Sequence, residues 1–235
     1  MHLESVYMCP QDHKKLELEI IDLGLTDYRQ TLELQKELWQ KRYNKEIVNT
    51  VLLVEHLPVI TLGIRAEKNK FLVSKEQLKE KNVDVIEIRR GGGATAHNPG
   101  QLVLYPILNL NELNLGISDY VHKLEDVTIK LLKELNVKAE RKNGFPGIWV
   151  GEKKIASVGV RVSKLVTYHG LAVNICNDLS VFDNIVPCGI EGVEMTSVFK
   201  ETNVRYSMEK AKDVLKKLLI ETFSCKDMFD YGKIP

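Results

Sequence analysis

Cys188 stands between Pro187 and Gly189 in the segment VPCGI. A cysteine so flanked sits on a rigid turn, and a nucleophilic thiol must be both exposed and held in place. Most free cysteines are inert, so taken alone the residue reads first as an ordinary buried or turn thiol. Lys153 and Lys154 follow a turn and precede the small-residue run Ile155-Ala156-Ser157-Val158-Gly159. Two lysines at a turn, taken alone, are solvated charge. The third feature is the loop Arg89 to Gln101, RRGGGATAHNPGQ. Gly91, Gly92 and Gly93 permit positive φ and let a ligand approach the main chain. A loop so costly in folding entropy points to binding. A tight connection between two strands is the plainer alternative.

Several chemistries are excluded by what surrounds these residues. Gly91 to Ala96 satisfies a loose G-x-G-x-x-A pattern, but His97-Asn98-Pro99-Gly100 and an apolar run follow instead of a helix. The dinucleotide fingerprint needs that helix, so it fails here. No phosphate-binding G-x-x-x-x-G-K-[ST] sequence occurs. His2, His13, His56, His97, His122 and His169 form no metal-ligand spacing. His97 and His169 each lie beside glycine, where a histidine serves either structure or function. The net charge of +1 recommends neither nucleic acid nor a membrane surface as partner. With 44% hydrophobic and 28% charged residues the composition is that of a soluble globular protein. No apolar run reaches the roughly 18 residues of a spanning helix. The start, MHLESVYMCPQDHKK, has no apolar core, so neither a signal nor a transit peptide is expected. Cys9, Cys176, Cys188 and Cys225 show no CxxC pairing and read as reduced thiols, which predicts a cytoplasmic protein.

The elements that must position these residues follow from periodicity. Tyr28, Leu32, Trp39 and Tyr43 predict a helix from Thr26, with Thr26 as N-cap. Val51–Val54 and Val59–Leu62 read as strands bent apart at Pro58. Ser74 to Gln77 is a capping box opening a short helix. Val83–Ile88 delivers the chain into the glycine loop and Leu102–Leu108 returns from it. That arrangement predicts a loop at a sheet edge, over a pocket. Ser118 is the expected cap of a helix carrying Val121, Leu124, Thr128, Leu131 and Leu135 on one face. Gly144 to Gly147 is a break, and Ile148–Val150 and Ile155–Val162 flank the hairpin turn Gly151-Glu152-Lys153. Thr167–Cys176 is a strand in which Gly170 predicts close backbone approach. Ser207 opens the last helix. Strand pairs between helices predict an α+β fold, a mixed β-sheet with flanking helices, in a single domain spanning residues 1–235.

Taken together, four segments resemble the lipoyl(octanoyl) transferase family. They are RGG-x-x-T-x-H-x-PGQ-x-x-x-YPI, GIWVGEKKIASVGVRV, YHGLAVN and PCGI, in that order between about Leu53 and Thr196. The resemblance implies a fold similar to the catalytic domains of biotin and lipoate protein ligases. It implies transfer of an octanoyl group from octanoyl-acyl carrier protein to a lysine of lipoyl domains. The acceptors implied are lipoyl domains of 2-oxoacid dehydrogenases and the glycine cleavage H protein. No cofactor or metal is implied, because the donor is already activated as a thioester. By the same resemblance Cys188 is the acyl-thioester nucleophile, and Lys154 is the lysine that lowers its pKa and transfers protons. Arg90, Gly91, Gly92, Gly93, Ala94, Thr95, Ala96 and His97 fall on substrate-binding positions, as do Ser157, Val158, Gly159, Gly170, Leu171 and Ala172. Family members commonly carry an aromatic residue where Ala96 stands and a glycine where Asn98 stands. Ala96 is therefore expected to open the acyl pocket, and Asn98 to tolerate a left-handed turn. The rival readings are an ATP-dependent lipoate-protein ligase on the same fold and a non-catalytic binder of carrier domains. Seven basic residues between Lys138 and Lys164, against Glu140 and Glu152, suggest a basic face for an acidic carrier.

Overall fold

The computed structural model describes residues 16–224. Cys9, Cys225, His2, His13 and the N-terminal stretch read for targeting lie outside the described residues. The chain begins β1 (Leu18–Thr26), α1 (Tyr28–Tyr43), β2 (Asn49–His56), β3 (Val59–Leu62), α2 (Lys75–Glu80), β4 (Asp84–Glu87) and β5 (Thr95–His97). It continues through β6 (Gln101–Ile107), α3 (Leu110–Leu113), α4 (Ile117–Glu134), β7 (Glu140–Lys142), β8 (Phe145–Val150) and β9 (Lys153–Ser163). Last come β10 (Val166–Asn174), β11 (Glu194–Met195), α5 (Val198–Thr202) and α6 (Met208–Phe223).

The main sheet has the order β1-β2-β6-β10-β9-β8-β7, with β11 paired to β9. Its β1–β2 and β9–β11 pairs are parallel and the rest antiparallel. A second sheet, β4-β3-β5, joins one parallel and one antiparallel pair. This is the mixed sheet with flanking helices that the strand pairs predict.

Alternation along β2 and β6 sorts the core into two layers. Val51, Leu53, Leu102 and Leu104 pack with Leu124 and Leu131 of α4 and Leu215 and Leu219 of α6. Leu52, Val54, Val103 and Tyr105 face the other way, onto Tyr28, Leu32 and Trp39 of α1. Each fully buried Leu or Val contributes about 1.5–3 kcal/mol by leaving water. A third cluster behind the small sheet gathers Ile60, Leu78, Ala96, Val181 and Phe182.

Four local expectations change. Asp27, not Thr26, caps α1, its carboxylate accepting from the Arg29 and Gln30 amides; Thr26 is the last residue of β1. Gly116 rather than Ser118 precedes α4, and Asp119 reaches back to the Gly116 amide. β1 was not predicted because its half-buried residues do not alternate. Finally, β4 and β6 are not partners across the glycine loop. β4 lies in the small sheet and β6 in the middle of the main one: the three glycines join β4 to β5, the two strands that flank β3, and the chain passes to the main sheet only at the Asn98–Gly100 turn before β6. The capping box of Ser74 and Gln77 and the Ser207 cap are present as expected. Gly170 also behaves as predicted, since a Cβ there would lie 2.1 Å from the Leu104 carbonyl oxygen.

Candidate active site

β9 decides the fate of two adjacent lysines. Strand alternation sends Lys153 outward, 41% exposed, within 3.8 Å of Glu194 and 4.0 Å of Glu201. Lys154 points inward and is 1% exposed. Its stem passes Gly147, where an added Cβ would come within 2.6 Å of Lys154 Cε, so only glycine leaves it room. The Lys154 ammonium donates to the Pro146 carbonyl at 2.7 Å and sits 5.4 Å from the Trp149 ring centre. It also lies 3.3 Å from Cys188 Sγ. No carboxylate pairs with it among the described residues.

Cys188 is held on a 3-10 turn, Pro187–Gly189, at φ 56° and ψ 13°. A left-handed residue other than Gly, Asn or Asp carries strain of about 1–3 kcal/mol, and such strain needs support from its surroundings. Here the support is a 2.8 Å bond from the Cys188 amide to the Ala94 carbonyl. The thiol stays half-buried, at the mouth of a cleft of about 410 Å³ counting its opening.

Arg90 holds the glycine loop together. Its guanidinium donates to the Gly91 and Gly93 carbonyls at 2.9 and 2.8 Å, and to the Thr61 carbonyl and hydroxyl at 2.8 Å each. Beside it, the buried imidazoles are held in the neutral form. Burial pushes His97 down to about 3, with the neighbouring His56 adding to the effect. Burial likewise pushes His169 down to about 3 and His56 to about 4. His97 Nδ1 is 2.7 Å from Gln101 Oε1, and His56 Nε2 is 2.8 Å from the Tyr105 hydroxyl. A thiol 3.3 Å from a buried ammonium, at a cleft lined by a glycine loop and by small residues of β9, suits acyl transfer through a covalent intermediate.

Comparison with known proteins places the chain in a family. Residues 27–220 match the family described as the lipoyl protein ligase A/B catalytic domain. A protein of Syntrophobacter fumaroxidans named octanoyltransferase is 44% identical over 179 residues, 76% of this chain and 78% of that protein. Another so named, from Dictyoglomus thermophilum, is 37% identical over 218 residues, covering 88% and 92%. The chain belongs to the octanoyltransferase family. In fold it is similar to a bipartite lipoate protein ligase from Thermoplasma acidophilum, studied with its E2 lipoyl domain. That match has a TM-score of 0.69 at 16% identity and covers 88% of this chain and 84% of the other. A biotin protein ligase from Aquifex aeolicus matches with a TM-score of 0.50 at 15% identity, over 87% and 68%.

In this octanoyltransferase family member, Arg90, Gly92, Thr95, His97 and Cys188 line the cleft, as do Ser157, Val158, Gly159, Gly170 and Leu171. Gly91, Gly93, Ala94, Ala96 and Ala172 stand outside its lining. For Ala96 this is a correction. β5 alternates, so Thr95 and His97 face the cleft while Ala96 turns into the third core cluster. Asn98 is also corrected: it keeps negative φ, and Gly100 at φ 88° makes the turn. The Asn98 amide group instead donates to the Asp178 carbonyl at 2.8 Å and accepts from Asn177 at 3.1 Å. The expected basic face is largely neutralised. Arg141 pairs with Glu125 and Asp126, Lys142 with Glu152, and Lys154 is buried. Tyr28, Val103, Tyr105 and His169 line the cleft without having been assigned to it from sequence. Tyr28 comes from α1, before any of the four motifs begins, and carried no signal beyond its place on an apolar helix face. Tyr105 lay inside a motif at a position taken for strand core, and His169 was marked as a histidine beside glycine that serves either structure or function. Among the described residues no helix is long and apolar enough to cross a membrane.

Proposed function

We propose that this member of the octanoyltransferase family moves an octanoyl group from octanoyl-acyl carrier protein to a lysine of lipoyl domains by ping-pong transfer through Cys188. The acceptors are lipoyl domains of 2-oxoacid dehydrogenases and the glycine cleavage H protein, and the chain acts as one catalytic domain in the cytoplasm. The observation that carries this reading is the 3.3 Å approach of a buried ammonium, Lys154, to the Cys188 thiol.

The sequence of steps follows from that pair. The Lys154 charge favours the thiolate by Coulomb attraction, and the thiolate attacks the donor carbonyl carbon. The carbon–sulfur bond to the carrier breaks, and its thiol departs with a proton that Lys154 is placed to supply. The acceptor amine then attacks the Cys188 thioester, and amide formation returns sulfur to the thiolate while the amine proton passes back through Lys154. The Cys188 amide is engaged by the Ala94 carbonyl, so it does not serve the oxyanion. Gly92 lines the cleft, and its amide takes no protein acceptor among the described residues; it is the donor we assign to the developing negative oxygen.

Two experiments test the reading. Mixing the protein with octanoyl-acyl carrier protein, with no acceptor and no nucleotide, is expected to add one octanoyl group by intact-mass spectrometry. Strict dependence on ATP with free octanoate as donor would place the chain with the ligases instead. The second compares Cys188 alkylation at pH 7 in two variants. Lys154→Met is expected to slow it at least about tenfold through loss of the adjacent charge. Lys153→Met, which removes a charge already facing Glu194 and Glu201, should leave the rate close to wild type. The reverse order would overturn the assignment of Lys154.

A further inference from the structure

The cleft lining is graded in burial. Cys188, Gly92 and Ser157 are half-buried at its mouth, whereas Tyr28, Val103 and Tyr105 are 3%, 1% and 3% exposed on its floor. An acyl group carried on Cys188 therefore runs from sulfur toward the two tyrosines. Those side chains are fixed from several directions. The Tyr105 hydroxyl lies 2.8 Å from His56 Nε2, and Tyr28 and Tyr105 pack in the same core cluster. The Tyr28 ring stacks on His97 at 5.7 Å and packs against His56 at 4.9 Å. His97 is held in turn by Gln101, which donates to Asn174 at 2.9 Å. Arg90, Thr95 and His169 supply the polar part of the lining, whereas Tyr28 and Val103 present ring carbon and methyl groups, which suit the end of an unbranched alkyl chain.

We infer that Tyr28, braced by Tyr105, is the end wall of the acyl pocket and sets the longest chain the protein transfers. The role expected of Ala96 from sequence thus falls to a residue on α1. Asp27 secures it there, because the cap bonds to the Arg29 and Gln30 amides fix the first turn that carries Tyr28. The inference rests on the reading that Cys188 carries the acyl group.

The test measures transfer to a lipoyl domain from carrier protein loaded with C6, C8, C10 or C12 chains. In Tyr28→Ala the ratio of C10 to C8 turnover is expected to rise about tenfold, the value of two newly buried methylenes. Tyr28→Phe keeps the ring and should keep the wild-type profile. Val103→Phe, which adds bulk to the same floor, should shift preference toward C6. A ratio is a property of the folded fraction, so partial unfolding of a variant does not mimic the result. Unchanged ratios in both Tyr28→Ala and Val103→Phe would overturn the end-wall assignment. Intact-mass detection of the Cys188 adduct in the wild-type protein is scored separately. Its absence would overturn the thioester route, while the ratios, read from product, still decide where the chain ends.

Discussion

Cys188→Ser is expected to lower octanoyl transfer to a lipoyl domain by about 10³-fold or more while leaving the fold intact. The thiol is the only nucleophile within reach of the Lys154 ammonium among the described residues, and a single neighbouring charge does not ionise a serine hydroxyl. Sulfur and oxygen are close enough in size that the turn should keep its bond from residue 188 to Ala94. Donor without acceptor should leave a hydroxylamine-labile adduct on Cys188 in the wild-type protein and none in the variant. Cys176 supplies the contrast. It is partly buried against the main core, and desolvation pushes its thiol up, away from the reactive form. Cys176→Ser, and Cys225→Ser outside the described residues, are expected to retain most turnover. An adduct mapped to Cys176 would sink the assignment.

Acid should destabilise the protein well above the carboxylate range. In an unfolded chain each imidazole takes up a proton as the pH falls through about 6.5. In the folded protein, burial holds His97 and His169 down to about 3 and His56 to about 4. The stability from keeping these three neutral is fully present above pH 6.5 and is lost as the pH falls toward 4. Each contributes a slope of up to about 1.4 kcal/mol per pH unit. By pH 5 that is roughly 2 kcal/mol per histidine, a sum of the same order as the whole stability of a typical domain. Urea midpoints measured from pH 7.5 to 5 should therefore fall steeply. His97→Gln, which loses its own share of the proton uptake, should fall less steeply. A flat wild-type profile across that range would mean that the three imidazoles are not buried together in solution.

The sequence alone determined the fold class, because strand pairs between amphipathic helices leave few ways to bury their apolar faces. Taken alone, Cys188 and Lys154 read as an ordinary thiol and a solvated charge, and it was the resemblance of four ordered motifs to a known family that marked them as candidates. The same resemblance chose Lys154 over Lys153, and alternation along the strand, which follows from backbone geometry, puts Lys154 on the buried side. The tertiary structure decided what depends on packing between distant segments. β4 and β6 belong to different sheets, and the glycine loop between them delivers the chain to β5 on the far side of β3 before it passes to the main sheet. Ala96 carries no mark of which way it faces until β5 pairs with β3, and that register sends it into the core. Tyr28 lies 160 residues from Cys188 in sequence, and only the seating of α1 on β6 brings it to the cleft floor. Helix seating is set by complementary shape across the core, a relation between side chains that no spacing along the chain records.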